Sequence, residues 1–449
     1  MSENCEKIKN LKTIGLVPDH LEWRKDNRDL IRYWGKKYRL VLFVRYKNYH
    51  RFREVFGEYA EVRFIRETRK SFKNRLIANL HSVVKQIPRS RKNYYLMEHF
   101  KLYNFNSLNK KIGKLRLKLH RLLPNRETYD EYLQKLELSR QTKIDDIDAF
   151  LFTTDILDDA FYARVLETDV PAAVYVTSWD HPCKHTTFSR RATYLTWSRC
   201  IGNDVAELQG ISADRIKISG AGALSYITEY KKQPAVAVEN PQKPYIFYGC
   251  SIGFIELVQD EIDIIKDLAT RLQKELPGVS LLVRPYPFLE DSDVYDELKK
   301  YPCIQMDPGQ KLRGLETDIE GLYAKYRTID NALAFLHIGT TLGLEASFFD
   351  TPSVMLDYGY DNTRTVLSLH SFMHQYQLEK YMLTERNNVA RSVDELMHIL
   401  HQITAGTYDN KNQYIRDLFP LTSFTEWTEN IEKHLGVNTP VPTEGHNTN

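Results

Sequence analysis

The chain has 449 residues and a formal net charge of +3, with 42 % hydrophobic and 27 % charged residues. This length exceeds one ordinary hydrophobic core and predicts two large domains, while the composition excludes a disordered or fibrous chain. The amino terminus is charged from its third residue and no apolar run of about 18 residues occurs, so we expect a cytoplasmic protein without a signal peptide or membrane span. The five cysteines are scattered without a CxxC pair, which predicts reduced thiols and no zinc site.

Short apolar runs alternate with helical patterns in the first half of the chain. Strands are predicted at Thr13–Val17, Leu40–Val44, Glu61–Ile65, Ala149–Thr153, Ala172–Val176, Ala192–Leu195 and Ile216–Ser219. This alternation is typical of βαβ units in a parallel sheet. We therefore assign residues 1–230 to a first Rossmann-like domain.

A strongly basic segment interrupts this first domain as an insert at about residues 69–135. Residues 69–121 contain 15 Lys and Arg against one acidic residue, Glu98, so their net charge is +14 and the remainder carries −11. Apolar residues recur at helical spacing, at Leu108, Ile112, Leu115, Leu119 and Leu122. The pattern predicts a basic amphipathic helix that either lies on an anionic membrane leaflet or packs on its own domain with a solvated charged face. The acidic remainder and the lack of a nucleic-acid motif argue against nucleic-acid binding.

A polar stretch at 231–243 carries two prolines and predicts the linker between two domains. A second set of strands follows at Tyr245–Tyr248, Ser280–Arg284, Ile304–Met306, Leu333–Ile338 and Ser353–Leu356. Helical patterns fall at Phe254–Leu276, Ile319–Tyr326, Leu342–Phe349 and Val393–Ile403. We assign residues 244–436 to a second Rossmann-like domain, expect a helix near 425–435 to return to the first domain, and expect a disordered tail at 437–449. Two such doubly wound domains would face a central cleft at the carboxyl ends of their strands.

The segment from Gly339 to Glu345 is the strongest candidate for a ligand site. An apolar strand ends at Gly339, Thr340 and Thr341 and a helix begins at once, so unpaired N–H groups and the positive helix end would face an anion. Glu345, one turn into the helix, is placed to accept hydrogen bonds from ribose hydroxyls. The same pattern is also typical of a helix capped by threonine, with Glu345 favourable near the dipole.

Two further strand ends in the second domain carry groups suited to phosphate. Gly249, Ser251 and Gly253 lie in a turn after the strand Tyr245–Tyr248. Arg284 ends the next strand, where a guanidinium can hold a diphosphate through paired hydrogen bonds. A simple tight turn and a surface ion pair are the respective alternatives. Three such strand ends in one domain together predict a nucleotide site.

Loops after strands of the first domain carry candidate catalytic groups. Inverting transfer from a nucleotide-activated donor needs a base that accepts the proton of the acceptor hydroxyl. We place His20 first, Asp180 second and Asp155 third for this role, with a turn or cap as the alternative for each. The acceptor-side candidates are Asp19, Trp179 and His181.

The sequence gives no sign of a metal or cofactor site. Its one candidate DxD motif, Asp146-Ile147-Asp148, precedes the strand Ala149–Thr153 and so falls at the wrong end of the sheet for a metal-held diphosphate. Neither a P-loop lysine motif nor GxSxG occurs, which argues against the usual NTPases and serine hydrolases. We therefore expect no cofactor and no metal requirement.

Four segments resemble bacterial glycosyltransferases of the GT-B fold that build surface polysaccharides such as capsule and lipopolysaccharide. They are Ser178-Trp179-Asp180, the run from Thr196 to Ala221, Arg284-Pro285-Tyr286-Pro287 and Gly339 to Glu345. The resemblance spans roughly residues 145–360. It implies a GT-B-like α/β fold, an acceptor-binding first domain and a second domain that binds a nucleotide-sugar donor. It also implies metal-independent transfer to a glycan or lipid-linked acceptor, which suits a protein peripheral to the inner face of the membrane.

Other functions stay open beside sugar transfer. The CDP-glycerol and ribitol-phosphate transferases of teichoic acid synthesis are similar in plan, but their loop usually has a histidine where this chain has Tyr286. A nucleotide-sugar 2-epimerase on the same fold would need no polymer acceptor and would leave the basic segment without a use. A non-catalytic adaptor would bind the donor without turnover. We place sugar transfer first.

Overall fold

The computed structural model describes residues 12–18, 24–66, 71–103, 107–123, 126–138, 141–153, 158–184, 188–233, 244–287, 289, 293–307, 318–359 and 368–437. Within these ranges the chain forms two parallel sheets with flanking helices. This confirms the α/β fold class and the two doubly wound, Rossmann-like units predicted from the sequence.

The first sheet contains seven parallel strands. They are β1 (Thr13–Val17), β2 (Arg39–Val44), β3 (Glu61–Phe64), β4 (Ala149–Phe152), β5 (Ala172–Tyr175), β6 (Thr193–Thr196) and β7 (Ile216–Ile218). The helices of this half are α1 (Lys25–Lys37), α2 (Tyr46–Phe56), α3 (Phe72–Val84), α4 (Arg91–Tyr103), α5 (Ser107–Leu122), α6 (Tyr129–Lys135), α7 (Asp159–Leu166), α8 (His181–Lys184), α9 (Arg199–Gln209) and α10 (Gly222–Tyr230). The strand order β3-β2-β1-β4-β5-β6-β7 changes direction between β1 and β4, which opens a crevice at the carboxyl edge.

The second sheet contains six parallel strands. They are β8 (Tyr245–Gly249), β9 (Ser280–Arg284), β10 (Ile304–Met306), β11 (Phe335–His337), β12 (Ser353–Leu356) and β13 (Val389–Ala390). The helices of this half are α11 (Ile255–Glu275), α12 (Ile319–Asp330), α13 (Thr341–Ala346), α14 (Leu369–Met373), α15 (Val393–Thr404), α16 (Asn412–Leu418) and α17 (Phe424–Leu435). A π-helical turn covers Leu378–Met382. The order β10-β9-β8-β11-β12-β13 changes direction between β8 and β11.

The two halves share contacts at several points. The last helix, α17, packs against α10 and against β4 and β5 of the first sheet. Its Trp427 is fully buried and lies 5.4 Å from Tyr175, measured between ring centroids. The helix α4 also bridges the halves, because Asn93 donates to Gln377 at 2.8 Å and accepts the N–H of Tyr376 at 2.9 Å. The Leu96 side chain of α4 belongs to the apolar core of the second sheet.

All twelve predicted strands are present within two residues of their predicted bounds. The thirteenth, β13, has two residues and no apolar run to reveal it. Residues 234–243 of the predicted linker and the tail from 438 onward lie outside the described residues, so the domain boundaries remain predictions. None of the helices in the described ranges is long and apolar enough to cross a bilayer.

The helix predicted from leucine spacing in the basic segment forms as α5, but it buries a different face. Gly113, Leu117 and His120 point inward, and a Cβ on Gly113 would lie 2.1 Å from Leu102 of α4. The predicted apolar stripe is 39 to 71 % exposed instead, at Leu108, Ile112, Leu115, Leu119 and Leu122. Helix α5 therefore packs on its own half of the molecule through a glycine-containing face that periodicity alone does not single out.

Candidate functional site

The strands β8, β9 and β11 end at one edge of the second sheet, and the loops after them carry the predicted donor-binding residues. Gly249 at the end of β8 pairs in register with Arg284 at the end of β9. The N–H of Cys250 donates to the carbonyl of Arg284 at 3.0 Å, so these two loops start side by side. On the other side of β8, β11 delivers Gly339 to the same edge. A Cβ on Gly249 would lie 2.5 Å from the Phe335 ring of β11, so the close approach of these strands requires glycine.

The turn after β8 is fixed by a buried carboxylate, Glu261 of α11. Its oxygens accept the N–H groups of Ser251 at 2.8 Å and Ile252 at 3.0 Å. The hydroxyl of Tyr248 donates to the same carboxylate at 3.4 Å. Burial raises the pKa of Glu261 to about 7, against the opposing effect of these three donors. The N–H groups of Ser251 and Ile252 are therefore bonded to Glu261 and do not face a ligand. The Ser251 hydroxyl is the donor of this residue that has no partner among the described residues.

Arg284 and Ser251 each keep one buried polar atom without a hydrogen-bond partner among the described residues. The Arg284 guanidinium donates through Nη1 to Asp307 at 2.8 Å, in an ion pair that is buried rather than at the surface. Its Nη2 and the Oγ of Ser251 are unpaired, and both residues are 7 % exposed. An unpaired buried polar group costs on the order of 1–3 kcal/mol. A polar ligand at this edge would remove that cost.

The junction after β11 combines a left-handed glycine with a short capped helix. Gly339 has a φ of +120°, and a Cβ there would lie 2.7 Å from Leu378. Its N–H donates to Nδ1 of His337 at 3.1 Å, and burial lowers the pKa of His337 to about 3, so this ring is neutral. Thr340 is the N-cap of α13 and its Oγ1 accepts the N–H of Leu342 at 3.3 Å. The threonine cap considered from the sequence is thus present.

Glu345 of α13 forms an ion pair with Lys325 of α12 through Oε2. The side chains of Lys325 and Glu345 are 7 % and 14 % exposed. Burial lowers the pKa of Lys325, Glu345 opposes this shift, and the charge of Arg284 adds to the lowering. The three residues therefore form one charged cluster at the edge, in which Glu345 Oε1 is the carboxylate oxygen not bonded to Lys325.

The segment Ser178-Trp179-Asp180 follows β5 and meets the junction after β11. Trp179 Nε1 donates to Thr341 Oγ1 at 3.3 Å, so two of the predicted sites are in direct contact. Trp179 is 3 % exposed and packs edge-on against Phe419. Its ring therefore joins the two halves of the molecule instead of presenting an open face to an acceptor.

Asp180 is bonded to neighbours in its own loop. It accepts a hydrogen bond from Ser178 Oγ at 2.7 Å and forms an ion pair with Lys184 of α8. Burial opposes its ionisation, but Lys184 and His181 hold the pKa of Asp180 well below its usual range. A carboxylate with so low a pKa is a weak proton acceptor, so this pair suits charge stabilisation better than general-base catalysis.

Tyr286 of the Arg-Pro-Tyr-Pro loop lies over the turn after β8. A Cβ on Gly253 would lie 2.4 Å from the Tyr286 ring, so this contact requires glycine. Burial raises the pKa of Tyr286, and the charges of Lys184 and Asp180 also act on its hydroxyl. Tyr286 therefore stands between the donor loops and the Asp180–Lys184 pair.

Three predicted residues, Asp19, His20 and Asp155, lie outside the described residues. Arg24, the first described residue after Asp19 and His20, donates to the carbonyl of Thr177 at 2.5 Å, so the start of α1 lies beside the end of β5. The assignment of a catalytic base among these residues remains a prediction.

The Asp146-Ile147-Asp148 motif lies before β4, at the amino-terminal edge of the first sheet. Asp146 forms an ion pair with Arg63 at 2.7 Å, and Asp148 accepts the N–H of Thr13 at 2.6 Å. Both carboxylates thus form their polar contacts at the edge of the first sheet that lies opposite the crevice. Across the described ranges, no three His, Cys, Asp or Glu side chains are grouped to hold a metal ion. Metal independence remains a prediction.

No family model matches the sequence, and no curated protein sequence matches it significantly. Solved structures match nearly the whole chain. A glycosyltransferase from Rickettsia africae ESF-5 has a TM-score of 0.50 at 10 % identity, covering 95 % of this chain and 99 % of its own. A provisionally assigned UDP-N-acetylglucosamine 2-epimerase from Listeria monocytogenes has a TM-score of 0.50 at 9 % identity, covering 96 % and 98 %. The complex of S. aureus MnaA with UDP has a TM-score of 0.50 at 10 % identity, covering 96 % and 99 %.

The chain has the GT-B fold. At these identities the likeness establishes the fold alone, which confirms that part of the resemblance noted from the sequence. Both transferases and epimerases are built on this GT-B plan, so the choice of reaction, pathway and acceptor rests on the residues of the crevice.

Several groups of this GT-B crevice were not predicted. Glu261 and Lys325 lie inside helices, where acidic and basic residues are ordinary, and no local pattern marks them. Asp307 follows β10 directly, so the rule that selected Arg284 at a strand end would also select it. Lys184 ends a helix of four residues, and its pairing with Asp180 is evident only in three dimensions.

Proposed function

We propose that the protein is a glycosyltransferase that takes its sugar from a nucleotide-sugar donor. The observation that carries the proposal is the pair of unpaired buried polar atoms, Ser251 Oγ and Arg284 Nη2, where β8 and β9 end. Ligands of open α/β sheets bind outside the carboxyl ends of strands beside the change of direction, and β8 flanks that change here. A diphosphate supplies several acceptor oxygens for these two donors.

The nucleoside of the donor would extend along the junction after β11. Glu345 has one oxygen on Lys325 and a second that can accept a ribose hydroxyl. Gly339, Thr340 and Thr341 line the same edge. The shared fold of a protein solved with UDP supports a uridine nucleotide as the first donor to test.

The transfer step needs a base facing the acceptor hydroxyl. The lowered pKa of Asp180 favours His20 for this role, with Asp155 next. The Asp180–Lys184 pair, beside Tyr286, would instead stabilise negative charge that develops on the leaving diphosphate. Lys184 and Arg284 would together supply positive charge of the kind that a metal provides in metal-dependent transferases.

The acceptor we propose is a glycan or lipid-linked sugar in cell-surface polysaccharide synthesis. Support comes from the likeness of Ser178–Asp180 and Arg284–Pro287 to GT-B enzymes of that class. We also propose a cytoplasmic location, peripheral to the inner face of the membrane.

The substitution Ser251→Ala tests the donor site, because its Oγ has no hydrogen bond among the described residues to lose. We expect the affinity for UDP, measured by calorimetry, to fall about tenfold, the value of one hydrogen bond to a charged oxygen. The melting temperature of the free protein should rise slightly, because the substitution removes a buried hydroxyl that has no partner among the described residues. Ser225→Ala is the matched control, since buried Ser225 Oγ donates to Gly222 at 2.7 Å within α10, and it should lower stability without changing UDP affinity. Equal UDP affinities of wild type and Ser251→Ala would contradict the site.

A nucleotide-sugar 2-epimerase is the second candidate, because the provisionally assigned Listeria epimerase is equally similar in fold. Incubation with UDP-N-acetylglucosamine separates the two reactions. A transferase releases UDP in the presence of its acceptor, whereas an epimerase forms the 2-epimer without net release of UDP. A thermal-shift panel that includes CDP-glycerol and CDP-ribitol tests the phosphotransferase alternative. If CDP-glycerol raises the melting temperature more than any nucleotide sugar does, phosphotransfer would replace sugar transfer as the proposed reaction.

A further inference from the structure

An apolar ridge runs along the outer face of α5. It consists of residues that are 39 to 71 % exposed, namely Leu108, Ile112, Leu115, Leu119 and Leu122. The helix is held in place through its opposite side, where Gly113 packs on Leu102. The ridge is therefore not required for the packing of α5.

The neighbouring helix α3 carries a second exposed stripe. It packs against α5, and its Phe72, Leu76 and Leu80 are 51 to 84 % exposed. Of the twelve exposed large apolar side chains in the described structure, nine lie between residues 72 and 123. Single exposed leucines are ordinary on protein surfaces, but such a concentration marks a binding surface.

The ridge is bordered by cations. Lys111, Lys114 and Lys118 are exposed on α5. The one acidic residue between positions 69 and 121, Glu98, lies 3.6 Å from Arg116. An anionic bilayer complements both features, because its headgroups attract lysine and its boundary with the acyl chains accepts leucine. A second copy of this chain would bring two segments of charge +14 together.

A cleft of about 820 Å³ opens where the ridge ends, between α4, α5 and α14. Its wall includes Arg91, Tyr95, Arg121 and Leu122. The Arg121 guanidinium lies 4.6 Å from the centre of the Tyr95 ring, which holds its charge at the wall. Burial lowers the pKa of His99 in the same wall, and the charge of Arg121 lowers it further. The cleft is thus cationic and continuous with the apolar ridge through Leu122.

We propose that α3 and α5 form a docking surface for an anionic lipid bilayer, with the cleft beside α4 receiving a phosphate headgroup. The apolar ridge enters the headgroup boundary, and Lys111, Lys114 and Lys118 contact anionic headgroups. An interfacial helix of this kind binds without spanning the bilayer. The inference does not depend on the transfer reaction proposed above.

Flotation of the full-length protein with vesicles tests the surface. Wild type should bind phosphatidylcholine vesicles that contain roughly 30 % phosphatidylglycerol and not phosphatidylcholine alone, and binding should weaken as salt shortens the screening length. Each basic residue near such a surface is worth about fivefold in the partition coefficient, so Lys111→Glu/Lys114→Glu/Lys118→Glu should lower it about a hundredfold or more. The matched control Lys47→Glu/Lys274→Glu/Lys300→Glu makes the same charge change at exposed positions elsewhere and should lower it less than about threefold.

The apolar contribution is tested by Ile112→Gln/Leu115→Gln, which should lower the partition coefficient about tenfold or more. Ile218→Gln, at a position 46 % exposed in the first sheet, is its control and should bind as wild type. All these sites are exposed, so circular dichroism should be unchanged.

Several results would overturn the proposal. The first is failure of the wild-type protein to bind anionic vesicles at low salt. The second is an equal loss of vesicle binding in the test and control variants. A third is a wild-type dimer that does not bind vesicles and that the ridge substitutions convert to a monomer. That result would assign the ridge to contact with a second copy of the chain. For the cleft, soluble dihexanoyl phosphatidic acid should bind wild type but not Arg91→Ala/Arg121→Ala. Inorganic phosphate binding as tightly as this lipid would overturn the headgroup assignment.

Discussion

The burial of Glu261 predicts a pH-dependent stability that one substitution isolates. The carboxylate is buried under the turn after β8, and burial raises its pKa from the ordinary 4.5 to about 7. Because the folded pKa lies above the unfolded one, the stabilising contribution is complete below about pH 4.5 and is lost as the pH rises through 7. Over that interval the loss amounts to about 3 kcal/mol of unfolding free energy.

The substitution Glu261→Gln removes this titration. The amide oxygen can accept one N–H of the turn, but the amide nitrogen faces the other donor, so we expect the variant to be about 1–3 kcal/mol less stable at pH 5. Between about pH 5 and pH 8 the wild type should lose about 2.5 kcal/mol more than the variant, and the difference between them should narrow or reverse.

Urea unfolding at a series of pH values measures this difference. Exposed Glu429→Gln in α17 is the control, and its stability should run parallel to that of wild type. A constant difference between wild type and Glu261→Gln from acid to alkaline pH would refute the reasoning, because it would mean that the carboxyl titrates alike in the folded and unfolded chains.

Two further substitutions test packing around the crevice. In Gly343→Ala the new Cβ would lie 2.3 Å from Nε2 of buried His337, so we expect a loss of about 1–3 kcal/mol in urea unfolding, whereas Gly278→Ala, with no atom within 4 Å, should show none. Asp204 is 2 % exposed and accepts hydrogen bonds from Tyr381 at 2.7 Å and Lys380 at 2.5 Å, so Asp204→Asn should cost about 1–3 kcal/mol. The exposed pair of Asp296 and Lys299 is the comparison, and a change above about 0.5 kcal/mol in Asp296→Asn would contradict the role assigned to burial.

The strands were predictable because parallel strands are buried on both faces and so form continuous apolar runs. The limits of β9, Ser280 and Arg284, agree in sequence and structure for this reason. The same rule led to Arg284 and Gly339, since ligand-binding groups follow strands. It could not reveal Glu261 or Lys325, whose places depend on how helices pack against those strand ends.

Periodicity predicted the helix α5 but not the face that it buries. Its leucines gave the stronger apolar pattern, yet Gly113 allows a closer approach to α4, and the helix packs there. In the same way, Trp179 was predicted on the acceptor side from its place after β5, but its contact with Thr341 depends on how the two halves meet. Sequence patterns within one element do not contain such information.

The position of α4 between the two halves and beside the cationic cleft couples movement of the halves to binding at the cleft. The side chain of Asn93 is bonded to Gln377 and to the backbone of Tyr376, so a movement that separates the halves must break these bonds or carry α4 with the second half. Because α4 also walls the cationic cleft, a ligand there would contribute to the free energy of opening if its affinity differs between the open and closed arrangements. By reciprocity, a nucleotide that favours one arrangement of the halves changes affinity at the cleft by the same factor. Attachment to a surface and turnover in the crevice would then be coupled through α4, whose Asn93 and Leu96 both contact the second half.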